Sequence, residues 1–446
     1  VHVPPWKAAV IGFSVMSIGL TIGLSPAYAV TFAGSGGVAA QILGLVVIFS
    51  IAVAVSAYAK RYVATGSLMS YAYFVFGRWG RAIVGGCQLC GYLVMLASIT
   101  AVTQVFVVGA MTDLGLDGSD ASLQLVSIVI LLSAACFLTC RGLEASIKLS
   151  MILAFACIPP VLFVVGAAIL QEGVQVSAQF DLEKMAMPAI IAGAMSALAF
   201  SIAFEGVTTL AAETNNPKRN VPRLLFLLVI VIGGCAILAT LLQSPMLLRE
   251  KAALDAGSSP IALLAQAGGV EYMQLIVDLL LVPAGFSAIV AVCTFGARVI
   301  ATAASDGLLP AWLGRLENNS DAPSRAAIFI SLLSGSALVL PVLFSNLSPI
   351  ALGAMFGSAV VAYWLPPYLL ICVGAIVLEI RHREYSPFVI FFSALGALTV
   401  LYMISITLQA EGGSEVTWIP YLVIATSLPL AIVFYLRSGN RNIHDF

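Results

Sequence analysis

Apolar runs of about 20 residues recur along this chain, each long enough to cross roughly 30 Å of hydrocarbon as an α-helix. About twelve can be traced, near residues 8 to 30, 38 to 59, 84 to 111, 122 to 140, 146 to 170, 187 to 211, 223 to 247, 269 to 303, 326 to 345, 349 to 379, 387 to 409 and 417 to 436. No water-soluble core has this pattern: 61% of the 446 residues are hydrophobic, 9% are charged and mean hydropathy is +1.06. In hydrocarbon each spanning segment must satisfy its own backbone polar groups, so the expected fold class is an all-α integral membrane protein.

The basic residues test the count independently, because cytoplasmic loops collect Lys and Arg. With the N-terminus inside, the inner loops carry Lys60, Arg61, Arg78 and Arg81, then Arg141 and Lys148, then Lys218, Arg219 and Arg223. Later ones hold Arg315 and Arg325, then Arg381 and Arg383, and the tail holds Arg437 and Arg441. Of 20 basic residues only Lys184, Arg249 and Lys251 fall outside, where Asp113, Asp117, Asp120, Glu411 and Glu415 also lie. The pattern predicts twelve crossings of the plasma membrane with both termini cytoplasmic. Lys7, the apolar run after it and Ala27-Tyr28-Ala29 imitate a secretory signal, but the charge asymmetry holds only if this first span is retained. Net charge is -1, with the positive residues spread over short loops facing anionic lipid, so no nucleic-acid partner is expected.

Several chemistries are excluded early. The eight cysteines, Cys87, Cys90, Cys136, Cys140, Cys157, Cys235, Cys293 and Cys372, lie in or at the ends of apolar segments. Cys87-x-x-Cys90 has redox or zinc spacing but no histidine or second pair nearby, which leaves a packing role. His2, His382 and His444 lie at the termini or in an inner loop, so no histidine-based metal site or buried proton relay is expected. An intramembrane enzyme would need a nucleophile-base pair or metal ligands within the bilayer, and a channel would need charge rings or a repeated filter loop. Neither set is present. No cofactor is expected.

What the sequence does contain is a charge in an unusual place. Glu205 sits beside Gly206 in the middle of the sixth span, and a carboxylate at bilayer depth costs roughly 2.5 to 3.5 kcal/mol on insertion scales. Such acids face a cavity, a partner or an ion path. The first span carries Gly12, Gly19, Gly23 and Pro26, which predicts an unwound stretch near residues 17 to 23, with Gly12 serving helix packing. Ser17-Ile18-Gly19-Leu20-Thr21 is echoed by Ser201-Ile202-Ala203-Phe204-Glu205 at a constant offset of 184 residues (17 to 201). Five crossings separate the two segments, and an odd number inverts them. The expected division is therefore an inverted repeat, residues 1–170 and 187–380, with residues 386–437 appended as two further helices. Substrate would be held where the two interrupted helices meet.

Weaker candidates surround this pair. Asp278 begins the eighth span and is either a solvated helix end or a vestibule charge. Ser287 and Thr294 on the same span could give oxygens to a sodium ion, or bond their own helix. Tyr92, Gln104 and Tyr363 either line a pocket or make polar contacts between helices.

At these residues the chain resembles the amino acid-polyamine-organocation transporters. The likeness covers nearly its whole length and is sharpest at Phe204-Glu205-Gly206, continuing from Leu210 through Glu213-Thr214-Asn215-Asn216-Pro217 to Pro222. Thr65 to Tyr73 with Phe76-Gly77 resembles the loop after the family's second helix, and Ala304-Ser305-Asp306-Gly307-Leu308-Leu309-Pro310 resembles the end of its eighth. The resemblance implies a leucine-transporter-like fold of five plus five helices. It places the family's glycine motif on Gly19-Leu20-Thr21, with substrate carboxylate on backbone from Leu20 through Thr21 and Ile22 to Gly23. Thr21 stands where many members have glycine, so an amine without a carboxylate, ethanolamine- or polyamine-like, stays open. The family's proton-sensing acid falls on Glu205. Its gating aromatic falls on Ala199, so that gate is absent or moved to Phe200 or Phe204, and the lysine of some members falls near Cys157, where this chain offers no built-in cation.

The reading is a secondary active transporter for a small amino acid, working by alternating access, with a proton or sodium as candidate coupling ion and exchange also open. Substrate ammonium would rest on carbonyls near Ser17 and Ala203, Phe200 and Phe204 would close over the side chain, and Glu205 with Gly206 would complete the site.

Overall fold

The computed structural model describes residues 5–118, 120–142, 155–174, 176, 179–180, 186–316, 322–345, 347–409 and 418–438. His2, Lys148, Lys184, Glu411, Glu415, Arg441 and His444 lie outside the described residues, as does the expected start of the fifth span. The described residues form α-helices joined by short 3-10 turns, with no β-strand. In chain order the helices are α1 (Pro5–Met16), α2 (Ile18–Ala33), α3 (Gly37–Ala59), α4 (Leu68–Asp113), α5 (Ala121–Cys140), α6 (Ile158–Glu172) and α7 (Met187–Ala199). After a 3-10 segment (Phe204–Glu213) come α8 (Pro217–Arg249), α9 (Lys251–Asp255), α10 (Pro260–Ala267), α11 (Gln274–Ser305), α12 (Ser324–Phe344), α13 (Pro349–His382), α14 (Pro387–Gln409) and α15 (Ile419–Arg437).

Among the described residues, ten helical stretches are long and apolar enough to cross a membrane. The first, Trp6–Ala59, runs for 54 residues and is interrupted at the 3-10 turn Gly34–Gly36, while Ile158–Glu172 is a shorter apolar helix. Polar pairs sort the helix ends into two sets. At the near end, where α1 begins, Arg61 at the end of α3 bonds Glu379 of α13 at 2.7 Å, Arg81 of α4 pairs with Asp306 after α11, and Arg437 of α15 reaches the Leu308 carbonyl at 3.3 Å. At the far end, Gln274 of α11 donates to Asp113 of α4 at 2.7 Å, Tyr28 of α2 donates to the Ile350 carbonyl of α13 at 2.9 Å, and Arg249 of α8 pairs with Glu172 of α6. Two basic residues that broke the charge asymmetry thus have local acids: Glu172 for Arg249, and Asp255 for Lys251 at 2.6 Å.

The first span is broken at one residue. Ser17 has φ 34° and ψ 91°, outside the helical region, and separates α1 from α2. Gly19 and Gly23 lie within α2, so the unwound stretch expected over residues 17 to 23 is confined to its first position. Side chains account for this economy. Ser17 Oγ accepts the Leu20 N–H at 3.4 Å and caps α2, and Thr21 Oγ1 donates to the Met16 carbonyl at 3.0 Å, satisfying a group the break would orphan. Pro26 removes the hydrogen bond to the Ile22 carbonyl, but Gln243 of α8 donates to that oxygen at 2.9 Å and the helix continues.

The sixth span breaks differently. α7 ends at Ala199, residues 200–203 turn, and Ala203 takes the left-handed conformation (φ 66°), which costs an L-residue roughly 1–2 kcal/mol. The chain then continues as the 3-10 segment. Gly206 is required there by close approach: a Cβ would lie 2.3 Å from Phe295 of α11. Its role there is packing.

The two breaks fall between two apolar cores. One joins α1, α3, the 3-10 segment and much of α4, α8, α11 and α13, including Val15, Met16, Phe204 and Val207. The other joins α2, α6 and α10 to the far halves of α4 and α11, including Leu20, Leu24, Phe106 and Leu281.

Candidate functional site

A cavity of about 280 Å³ opens beside the two breaks. Ser17, Leu20 and Tyr28 come from the first span, Ser98 and Val102 from α4, Ser196 and Phe200 from the sixth span, and Gly357 and Ser358 from α13. Phe32, Ile406 and Ile419 extend the wall toward the far end, whereas no residue of the near-end ion pairs lines it. The lining holds no Asp, Glu, Lys, Arg or His, so any charge within must be balanced by backbone dipoles. At the start of α2 the Ile18 and Gly19 N–H groups can supply these, since the Leu20 N–H is given to Ser17 Oγ and the Thr21 N–H to the Ser17 carbonyl.

Of the expected binding residues, Ser17, Leu20 and Phe200 line the cavity. Gly19, Thr21, Ile22 and Gly23 follow in α2 without lining it, and Ala203, Phe204, Glu205 and Gly206 also lie outside its wall. Phe200 packs on Tyr28 with ring centroids 5.6 Å apart, and Tyr28 stacks on Phe32 at 6.5 Å. Ala199, where the gating aromatic was expected, lies in the wall, and Phe200 provides the ring. Phe204 turns away, toward Tyr368 at 6.4 Å.

Glu205 is fully buried, with both oxygens engaged: Trp364 Nε1 donates to Oε1 at 2.6 Å and the Tyr368 hydroxyl bonds Oε2 at 2.9 Å. The Glu205 carbonyl accepts from Thr208 Oγ1 at 2.6 Å. The indole N–H is a donor only and fixes Oε1 as acceptor, whereas the tyrosine hydroxyl can donate to a carboxylate or accept from the acid. The pocket therefore accommodates either protonation state of Glu205. Trp364 and Tyr368, one helical turn apart on α13, were absent from the sequence reading. Their separation from Glu205 by about 160 residues leaves no local signal.

The remaining candidates separate. Ser17 Oγ and Ser287 Oγ meet at the Ala284 carbonyl (3.5 and 2.7 Å), which places Ser287 at the first break. Thr294 lies two turns further along α11, donates to Val290 at 2.8 Å and approaches Thr139 of α5 at 3.4 Å, so the expected sodium pair is split. Cys157 caps α6 within the far core and does not line the cavity. Gln104 accepts from Ser127 at 2.8 Å and Tyr363 bonds Thr426 at 2.7 Å, the interhelical alternative for both. Tyr92 lies edge-on to Trp364 with ring centroids 5.2 Å apart. Asp278 is fully buried, which rules out the solvated helix end.

The near end is pinned. Besides the pairs above, Arg298 of α11 holds Glu213 at the end of the 3-10 segment, and Arg61 also bonds Glu384 at 2.7 Å. Burial raises the Asp306 carboxyl above its ordinary range, a rise that Arg81 lessens without cancelling.

Among solved structures, a substrate-bound, outward-open Na+-coupled sialic acid symporter matches with a TM-score of 0.55 at 15% identity, covering 93% of this chain and 91% of that one. The likeness shows a shared fold. No curated protein matches the chain. The amino acid permease family model matches residues 5–434, and with its apolar helices this makes the chain a multi-pass membrane transporter of the amino acid permease family.

Proposed function

We propose that this chain is a secondary active transporter that carries a small, neutral amino acid across the plasma membrane by alternating access. The observation that carries the reading is the cavity without charged side chains at the junction of two interrupted helices. Substrate carboxylate rests on the N–H groups opening α2 beside Ser17 and Leu20, and its ammonium on carbonyls near Ser17 and the turn before Ala203. The mostly apolar wall receives an apolar side chain, and Phe200 with Tyr28 closes over it. An amine without a carboxylate finds less support, since it would need an anionic partner and Glu205 is committed to Trp364 and Tyr368.

In this reading the helices make twelve crossings, with the turn at Gly34–Gly36 dividing the first long stretch and α6 contributing the fifth. Residues 1–170 and 187–380 form the inverted repeats, residues 386–437 follow, and both termini face the cytoplasm. The near end is then the inner side, held shut by its ion pairs. Rocking between the two cores moves access from one side to the other, and Glu205 links protonation to that motion through the hydroxyl of Tyr368. Thermal melting of purified protein against neutral amino acids and their decarboxylated amines tests the reading, because a ligand bound only by the folded form raises the melting point. At about 100-fold excess over the dissociation constant, the matching amino acid is expected to add about 2.7 kcal/mol and its amine nothing. Stabilisation by the amine alone would sink the amino acid assignment.

A further inference from the structure

Asp278 is fully buried, as Glu205 is, and the cavity does not use it. It lies in the second turn of α11, at a joint with α4 and the start of α10. Its Oδ1 accepts one long hydrogen bond, from Ser259 Oγ at 3.3 Å, and its Oδ2 is buried with no hydrogen-bond partner among the described residues. Ser259 occupies the N-cap position of α10 yet makes no side-chain capping bond to that helix, so its hydroxyl is given to Asp278. On the other side stands Gly109 of α4, where a Cβ would lie 2.3 Å from Asp278 Oδ2. Glycine is what lets the carboxyl tuck against α4.

The charges around this joint do not favour a carboxylate. From α4, Asp113 adds a like charge one turn beyond Gly109, exposed at the far end and bonded to Gln274, one turn before Asp278. α10 carries no ionisable side chain, Glu172 at the end of α6 is held by Arg249, Glu271 before α11 is exposed, and Tyr28 of α2 donates to Ile350. Among the described residues no cation faces Asp278. A buried charge without a partner costs far more than a neutral carboxyl lacking one bond. A metal ion does not fit either: one carboxylate and one hydroxyl are far short of the oxygen shell that hard cations require.

We propose that Asp278 is a proton-binding site that latches α10 to α4 and α11. With its proton the carboxyl packs dry between Gly109 and Ser259. When the proton passes to water, the carboxylate must be hydrated, and the start of α10 lifts away to admit the water. Proton concentration at the far face then sets how often that face opens, whatever solute the cavity carries.

Hydrogen exchange of the full chain in nanodiscs tests this without a substrate. Corrected for intrinsic rates, amides in residues 261–267 are expected to exchange about tenfold faster near pH 9 than near pH 5. In Asp278→Asn, which cannot ionise, they should stay protected throughout. In Gly109→Ala, which crowds the carboxyl out, they should already exchange fast at the acidic end. If Asp278→Asn does not fold, Gly109→Ala alone decides. Protection in the wild type that does not change with pH, a pH response surviving in Asp278→Asn, or wild-type behaviour of Gly109→Ala would each overturn the proposal.

Discussion

Glu205 and Asp278 are equally buried, yet one has a complete set of partners and the other half of one. Glu205 follows the broken turn of the sixth span and receives Trp364 and Tyr368 on its two oxygens. Asp278 sits on a continuous helix with a single 3.3 Å bond and a bare oxygen. Burial alone therefore does not define what an acid does in this bundle. Partners define it: a satisfied acid anchors α13 to the 3-10 segment, and an unsatisfied one makes its joint conditional.

The widest test removes the satisfied acid outright. Glu205→Ala leaves an indole N–H and a phenol hydroxyl buried together without an acceptor, at about 1–3 kcal/mol each. The expected loss is about 4 kcal/mol, seen as a large fall in melting temperature or failure to purify as a monodisperse species. A fall of under about 1 kcal/mol would mean that water already serves those donors. Trp364→Phe should cost less, about 2–3 kcal/mol, because it strips one donor from Glu205 Oε1 and leaves space where the larger ring packed. Tyr368→Phe removes a hydroxyl and little volume. Melting curves should show about 1 kcal/mol lost, and a larger loss than for Trp364→Phe would reverse the ranking of the two bonds.

The same contrast explains what was legible in the sequence. A lone acid in an apolar span stands out by composition, so Glu205 was visible, and a helix interruption beside it was a fair inference from Gly206 and the echo of Ser17. The glycines of the first span misled in extent, because Thr21 and Gln243 satisfy the carbonyls that would otherwise have loosened α2. Gln243 lies 221 residues from its acceptor, and no periodicity reports such a partner. The cavity wall was equally silent, since Ser98, Ser196 and Ser358 are small residues in apolar helices and carry no charge or spacing that marks them. The solvated alternative for Asp278 fails for a related reason: its position near the start of a span implies water, and only the packing of α10 across it removes that water.

The smallest expected effect is also the sharpest test of the contrast. Asp278→Asn keeps shape and volume, lets Ser259 donate to the amide oxygen, and exchanges an unpartnered oxygen for an unpartnered NH2 that carries no charge. At acidic pH wild type and variant are both neutral there, and their melting temperatures should agree within about 0.5 kcal/mol. As pH rises the wild type alone can ionise there, and an unpartnered carboxylate must then be hydrated at the expense of the joint, so the difference should open in favour of asparagine. If Asp278→Asn destabilises the protein increasingly toward alkaline pH, the bare oxygen has a partner in solution.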